Sequence, residues 1–169
     1  MTDHDRSVNE LDGAAAQLAA EALPAFRDAA PFRLAFLTDS ARLQARGVSL
    51  ETILAQLPAR TGVIFRDYRH ERRAQKAAAL AALCRERALL LFVAGDEALA
   101  RDVGAQGLHA PAAMAARLKE KPRGLMLSVA CHSSGELKEA ARLEADCAFL
   151  SPAFEIQSSG RRLSWTGAL

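Results

Sequence analysis

The sequence predicts an α/β fold built on a parallel sheet. Two observations carry that expectation. Short apolar runs recur six times along the chain, with helical spacings between them. The stretch Gly124 to Phe154 reads as strand, loop, helix and strand; a unit of about thirty residues of this kind is a right-handed parallel crossover. Ligands of such units sit at the carboxyl ends of the strands. That places His132 and Ser151 on one rim.

The elements follow in order. Leu11, Ala14, Ala15, Leu18, Ala19 and Leu23 repeat at helical spacing, and Pro24 stops them. This makes residues 1–30 an extension with one helix, suited to cap the bottom of a barrel or to pack on a partner. Residues 31–169 form the domain proper. Phe32 to Thr38 is the first strand, and Ser49 caps a short helix from Leu50 to Leu57. Thr61 to Phe65 is the second strand, with Arg66-Asp67 at its carboxyl end. A long helix from Glu71 to Arg87 turns Ala74, Ala77, Ala78, Leu80, Ala81 and Cys84 toward the core. Ala88 to Val93 is the third strand; Gly95-Asp96 opens a helix that Gly104 ends. Gly107 to His109 is a very short fourth strand, followed by a helix from Ala112 to Lys119.

The fifth strand, Leu125 to Ala130, runs into Cys131, His132, Ser133 and Ser134. Ser133 or Ser134 can cap the helix that follows, and Ser133 with Glu136 has the spacing of a capping box. Leu137, Ala140, Ala141 and Ala145 give the next helix its apolar face, and Ala148 to Leu150 is the sixth strand. A polar loop containing Ser158 to Arg162 comes after it.

Composition narrows the function. The 169 residues suggest one domain, and half of them are hydrophobic, enough for a substantial core. The net charge of +2 argues against nucleic acid and anionic membranes as partners. The basic runs Arg69–Lys76 and Arg117–Arg123 read as solvated helix faces, with a phosphate-binding patch as the second reading. Three cysteines, Cys84, Cys131 and Cys147, are too few and too scattered for a disulfide framework or a CxxC metal site. The polar N-terminus does not read as a signal peptide, and no apolar run approaches the roughly 20 residues that span a bilayer. A cytoplasmic location is expected.

Two architectures fit the alternation: an open doubly wound sheet and a (β/α)8 barrel. Length favours the open sheet, since the barrel usually needs roughly 250 residues. Neither GxGxxG nor GxxxxGK[ST] is present, which removes the commonest nucleotide-binding readings. A receiver domain would need paired acidic residues after the first strand, where Asp39 stands alone.

From the second strand onward the motifs resemble those of the thiamine phosphate synthase and TenI family. GVIFRD (62–67) is similar to that family's second strand ending in Arg-Glu-Lys. LCRERALLLFVAGD (83–96) and ALARDVGAQGLHAP (98–111) resemble its third- and fourth-strand segments. LSVACHSSGEL (127–137) and EADCAFLSPAFEIQSS (144–159) resemble its fifth- and sixth-strand motifs. The resemblance implies a TIM-barrel-like fold, here incomplete, with about six parallel strands and the extra N-terminal helix. The family's last two strands and its Ile-Gly-Gly phosphate loop have no counterpart before Leu169. The expected result is an open barrel fragment, or one whose edges are covered by the N-terminal helix or a partner. Exposed edges of that kind would suit a homo-oligomer.

The resemblance also implies chemistry. The synthase joins a pyrimidine diphosphate to a thiazole phosphate, using cations and Mg²⁺ to neutralise the leaving pyrophosphate. Here the family's metal-side Asn-Asp falls on Ala94-Gly95, with Asp96 one place late, and a second Asp falls on Met114. The fifth-strand Ser falls on Ala130, and the Lys near Arg66 falls on Tyr68. No metal ligand is therefore assigned, and Mg²⁺ enters only if synthase activity is retained. A TenI-like tautomerase needs no metal and places a histidine like His132, whose ordinary pKa suits proton relocation.

Against that catalytic reading, His132 can simply tie its loop through a backbone hydrogen bond. Cys131 beside it is a thiolate or, as strand-end cysteines usually are, a small buried hydrophobe. Arg66 is the phosphate candidate; its alternative is an ion pair with Asp67 or Asp96. His109 lines the pocket or only shapes its loop. Ser158, Ser159 and Arg161 offer phosphate donors, with Arg162 as a second choice, or belong to an ordinary polar loop. The expected partner is a small phosphorylated ligand. A non-catalytic descendant that binds such a ligand, or a protein, is the remaining alternative.

Overall fold

The computed structural model describes residues 30–151 and, beyond them, the backbone of residues 157–158 and 161–162. The sequence-expected N-terminal helix lies outside the described residues.

Six strands form one sheet: β1 (Ala35–Leu37), β2 (Gly62–Phe65), β3 (Leu90–Ala94), β4 (Gly107–Ala110), β5 (Met126–Cys131) and β6 (Cys147–Leu150). Their spatial order is their chain order, and every neighbouring pair is parallel. This order decides between the two architectures. A doubly wound sheet reverses its strand order at a switch point. Here each right-handed crossover steps the same way, so successive helices fall on one face and the sheet curls into a half-barrel. The helices are α1 (Ser40–Ala45), α2 (Leu50–Leu54), α3 (Arg73–Glu86), α4 (Glu97–Asp102), α5 (Ala112–Ala115) and α6 (Ser134–Arg142). Two further short strands, β7 (Gln157–Ser158) and β8 (Arg161–Arg162), pair antiparallel where the sequence suggested only a loop. The Ser159-Gly160 dipeptide between them has the composition of a turn.

Local signals set most boundaries. Ser49, Asp96 and Ser133 each cap a helix by accepting a backbone N–H three residues on. The Glu136 carboxylate also accepts from the N–H of His132, one residue ahead of the N-cap, so the reciprocal bond reaches past Ser133. Gly104, with φ +65°, ends α4. Helix α1 was not expected, because it buries no residue and so carries no apolar period. Asp39 starts it by accepting from the Arg42 N–H at 3.0 Å. Helices α2 and α5 stop short of the expected Leu57 and Lys119, and in α3 the expected inward residues Ala74 and Ala78 are exposed, so only Ala77, Leu80, Ala81 and Cys84 form its buried face. The first strand is also shorter than expected; Phe32 leaves it and turns under the sheet's inner face.

The strands are buried on both faces by different partners. Val63, Phe65, Leu91, Val93, Leu108, Leu127 and Val129 pack outward against Ala77, Leu80 and Ala81 of α3, Leu99 and Ala100 of α4, and Leu137 and Ala140 of α6. The inner face gathers Phe32, Ile64, Phe92 and Ala94 with Leu90, Met126, Cys147 and Phe149. Glycine makes room for the inner rings. A Cβ on Gly107 would lie 2.2 Å from Phe92 Cε1, and one on Gly62 would lie 2.6 Å from Phe32 Cδ1. Phe32 meets Phe92 edge-on at 5.3 Å and stacks on Phe149 at 6.0 Å, closing the inside of the curl. Among the described residues, no helix is long and apolar enough to cross a membrane.

Candidate functional site

The polar residues of the inner face collect toward the carboxyl ends of the strands. Strand alternation points every second residue inward. Register places His109 of β4 between Ala94 of β3 and Ser128 of β5, and sets Ser128 opposite Cys147 of β6. Arg66 follows β2 directly, and its N–H donates to Thr38 Oγ1 at 3.0 Å.

The Arg66 side chain is exposed, and among the described residues it forms no ion pair. Both carboxylates that the sequence offered it are engaged elsewhere. Asp67 accepts from the Ser40 N–H at 3.1 Å and from the Ser40 hydroxyl. Asp96 pairs with Arg73 at 2.8 Å. Arg66 thus keeps its guanidinium at a strand end, a geometry that suits an anion.

His109 is buried, 5% exposed. Its Nδ1 is hydrogen-bonded to Ser128 Oγ at 2.8 Å, and its ring meets Phe149 edge-on at 5.7 Å. Burial, reinforced by the Arg66 charge, lowers its pKa from 6.5 to about 4. The ring is therefore neutral at pH 7 and donates or accepts hydrogen bonds without adding charge. His109 stands on the inner face of a strand and does not merely shape a loop.

His132 follows β5 and is exposed. Its Nδ1 lies 2.6 Å from the Ser151 carbonyl oxygen, the other rim residue expected from the sequence. A carbonyl only accepts, so Nδ1 carries the hydrogen, and the neutral ring holds its lone pair on Nε2. The ring thus ties its loop to Ser151 through Nδ1. Cys131, one residue earlier, points the opposite way into the outer core and is fully buried. Burial first, then Glu136 and Cys147, push its thiol up to about 11. It is a small hydrophobe, not a thiolate.

Ser158 and Arg161 have backbone positions in β7 and β8, but their side chains, and all of Ser159, lie outside the described residues. The structure brings together Arg66, His109 and the Ser128 side chain on the inner face, with His132 and Ser151 joined at the rim.

Sequence reasoning missed Arg73. It read the basic run 69–76 as a solvated face, and two of its members depart from that. Arg73 donates to Asp96 Oδ2 and, at 2.7 Å, to the Ala94 carbonyl. Its guanidinium lies 5.4 Å from the Phe65 ring centroid and 5.8 Å from that of Tyr68. Lys76 donates to Ser40 Oγ at 3.1 Å. Residues 73, 76, 77 and 80 share the face of α3 turned to the sheet and to α1, which a charge count does not reveal. A cleft of about 530 Å³ lies beside that face, lined by Leu43, Val48, Leu80 and Leu83 among others. It is behind the sheet, on the opposite side from the inner-face residues.

The positions where the family resemblance implies magnesium ligands do not suit that ion. Ala94-Gly95 and Met114 offer no carboxylate. Asp96 accepts from the Leu99 N–H through Oδ1 and from Arg73 through Oδ2, so both its oxygens are engaged. A hard cation requires several oxygen ligands. Among the described residues, no three His, Cys, Asp or Glu side chains gather into a metal-binding group.

Sequential parallel strands, outer helices and a polar carboxyl-end rim define a domain of the (β/α)-barrel class. Residues 34–166 match the family described as thiamine monophosphate synthase, and the chain belongs to that family. Membership supports a role related to thiamine biosynthesis. A solved thiamine phosphate pyrophosphorylase from Pyrococcus furiosus shares the fold, with a TM-score of 0.57 and 20% identity. The likeness covers 75% of this chain and 63% of that one, so the chain spans less than two thirds of that protein's length. No curated protein matches the chain.

Proposed function

We propose that the rim binds a phosphorylated heterocycle of the thiazole phosphate class and relocates a proton on it without a divalent metal. Arg66 holds the phosphate, neutral His109 supplies a hydrogen bond beside it, and His132 carries the proton. The observation behind this reading is an exposed arginine at a strand's carboxyl end, with both neighbouring carboxylates engaged elsewhere. Ser158, Ser159 and Arg161 join as further phosphate donors on the family resemblance. The synthase reaction is the weaker reading, because the donor set departs from what Mg²⁺-pyrophosphate needs. A ligand-binding descendant without catalysis is the second reading, favoured by the bond that already engages His132 with Ser151. Three free thiols suit the reducing cytoplasm that this proposal assumes.

Calorimetric titration with thiazole phosphate, repeated with Mg²⁺ and pyrophosphate, tests it. Binding without Mg²⁺ dependence supports the proposal; binding that strengthens with Mg²⁺-pyrophosphate means a synthase site built from other residues. A tautomerisation assay then separates the first two readings. His132→Asn should remove turnover and leave the fold intact, and unchanged turnover would sink the proton-carrying role.

A further inference from the structure

Tyr68 stands two residues past Arg66, and 51% of it is exposed. A lone exposed aromatic residue is ordinary on a protein surface. This one differs in being held still without being covered. Its N–H donates to the Arg66 carbonyl at 2.6 Å, which ties it to the phosphate candidate through the backbone. The Arg73 guanidinium lies over its ring, 5.8 Å from the centroid. Arg73 in turn is fixed by Asp96, by the Ala94 carbonyl and by the buried Phe65 ring. The ring edge lies against Gly95, where an added Cβ would come within 3.2 Å of Tyr68 Cε1. The Arg66 charge reaches both the Tyr68 phenol and the His109 ring, so the three side chains share one neighbourhood.

We infer that Tyr68 is the ring-recognising residue of this rim: a clamped aromatic platform on which a planar heteroaromatic group stacks while its phosphate reaches Arg66. The ligand class is a heteroaromatic phosphate, and the inference rests on Arg66 as the phosphate anchor. Stacking on an aromatic surface favours a flat π-system over an aliphatic chain of the same charge. Immobilising the platform beforehand removes part of the ordering cost of binding. Arg73 is the positioning residue, because it lies over the ring while its own guanidinium is fixed by Asp96 and the Ala94 carbonyl.

The test uses the fact that Tyr68 is the chain's single tyrosine. Incorporating 3-fluorotyrosine gives one ¹⁹F resonance that reports on this ring alone. Thiazole phosphate should shift that resonance strongly, and glycerol phosphate, which has no ring, should shift it little. Tyr68→Leu should weaken thiazole phosphate binding about tenfold and change glycerol phosphate binding less than about twofold. Tyr68→Phe should keep thiazole phosphate affinity within about twofold of the original, since the ring and not the hydroxyl makes the contact. Arg73→Lys should reproduce part of the Leu effect on thiazole phosphate while sparing glycerol phosphate, with a thermal melt run beside it to show that the variant is folded. Equal losses for both phosphates, no loss for either, or a Phe variant as weak as Leu would each overturn the platform. If the unaltered protein binds neither phosphate, the Arg66 reading fails and the platform with it.

Discussion

Behind the sheet, Val63, Phe65, Leu91, Val93, Leu108, Leu127 and Val129 are all at most 1% exposed, beneath the helices. In front, the same strands present Gly62, Ile64, Phe92, Gly107, His109, Ser128 and Cys147. The back consists of branched and aromatic apolar side chains meeting a helix layer. Such cores depend mainly on volume and tolerate apolar exchange. The front pairs large rings with glycines and buries a histidine with a serine. Its packing depends on particular shapes and particular hydrogen bonds. Residues adjacent along one strand therefore answer to different constraints, and their functions divide the same way. The back holds the fold; the front and its rim hold the polar groups that can meet a ligand.

The largest effect should come from the back. Leu127→Ala removes a fully buried side chain from the outer core, and a loss of roughly 2–5 kcal/mol is expected in urea unfolding. Phosphate affinity of the surviving folded protein should stay within about threefold, and a larger change would show that the two faces are coupled.

Acid should act on the front. Folding lowers the His109 pKa from 6.5 to about 4, so the unfolded chain takes up the proton first. Stability from this group is complete above pH 6.5 and declines as pH falls toward 4. The shift corresponds to about 3 kcal/mol at full extent. Urea midpoints at pH 7 and pH 4.5 measure it, and His109→Gln should remove this part of the acid sensitivity. An unchanged acid profile in the variant would mean that the buried ring is not the group responsible.

Ring-over-glycine packing predicts a smaller, position-dependent cost. Gly107→Ala should destabilise by roughly 1–3 kcal/mol. The new Cβ would crowd both the Phe92 ring and, at 2.8 Å, the Met126 carbonyl of the neighbouring strand. Gly62→Ala should cost less, because the three atoms nearest the new Cβ all belong to the Phe32 ring, a side chain outside the strands, and not to a neighbouring backbone. Equal costs would show that backbone crowding is not the cause.

At the rim the stability effect should nearly vanish. Arg66→Ala should change unfolding free energy by less than about 0.5 kcal/mol, as expected for an exposed side chain, while calorimetry shows phosphate binding lost. Substantial destabilisation with binding intact would reverse the assignment of Arg66.

What the sequence determined by itself is what short range decides. The strand–helix alternation, the caps at Ser49, Asp96 and Ser133, the stop at Gly104 and the shared rim of His132 and Ser151 follow from residues within one crossover or one helical turn. Each signal is a period or a backbone hydrogen bond that forms locally. The family motifs likewise ran in chain order and pointed to a barrel. Only the tertiary structure decided the rest. Length favoured an open sheet, yet strand order depends on which way each crossover steps across the whole sheet. The sequence offered Asp67 and Asp96 to Arg66, but closure gave Asp67 to Ser40, 27 residues away, and Asp96 to Arg73, 23 residues away. The clamp on Tyr68 depends on the same closure. A charge chooses the partner that the folded backbone brings within a few ångströms, and when the competing carboxylates are all plausible, no local pattern ranks them.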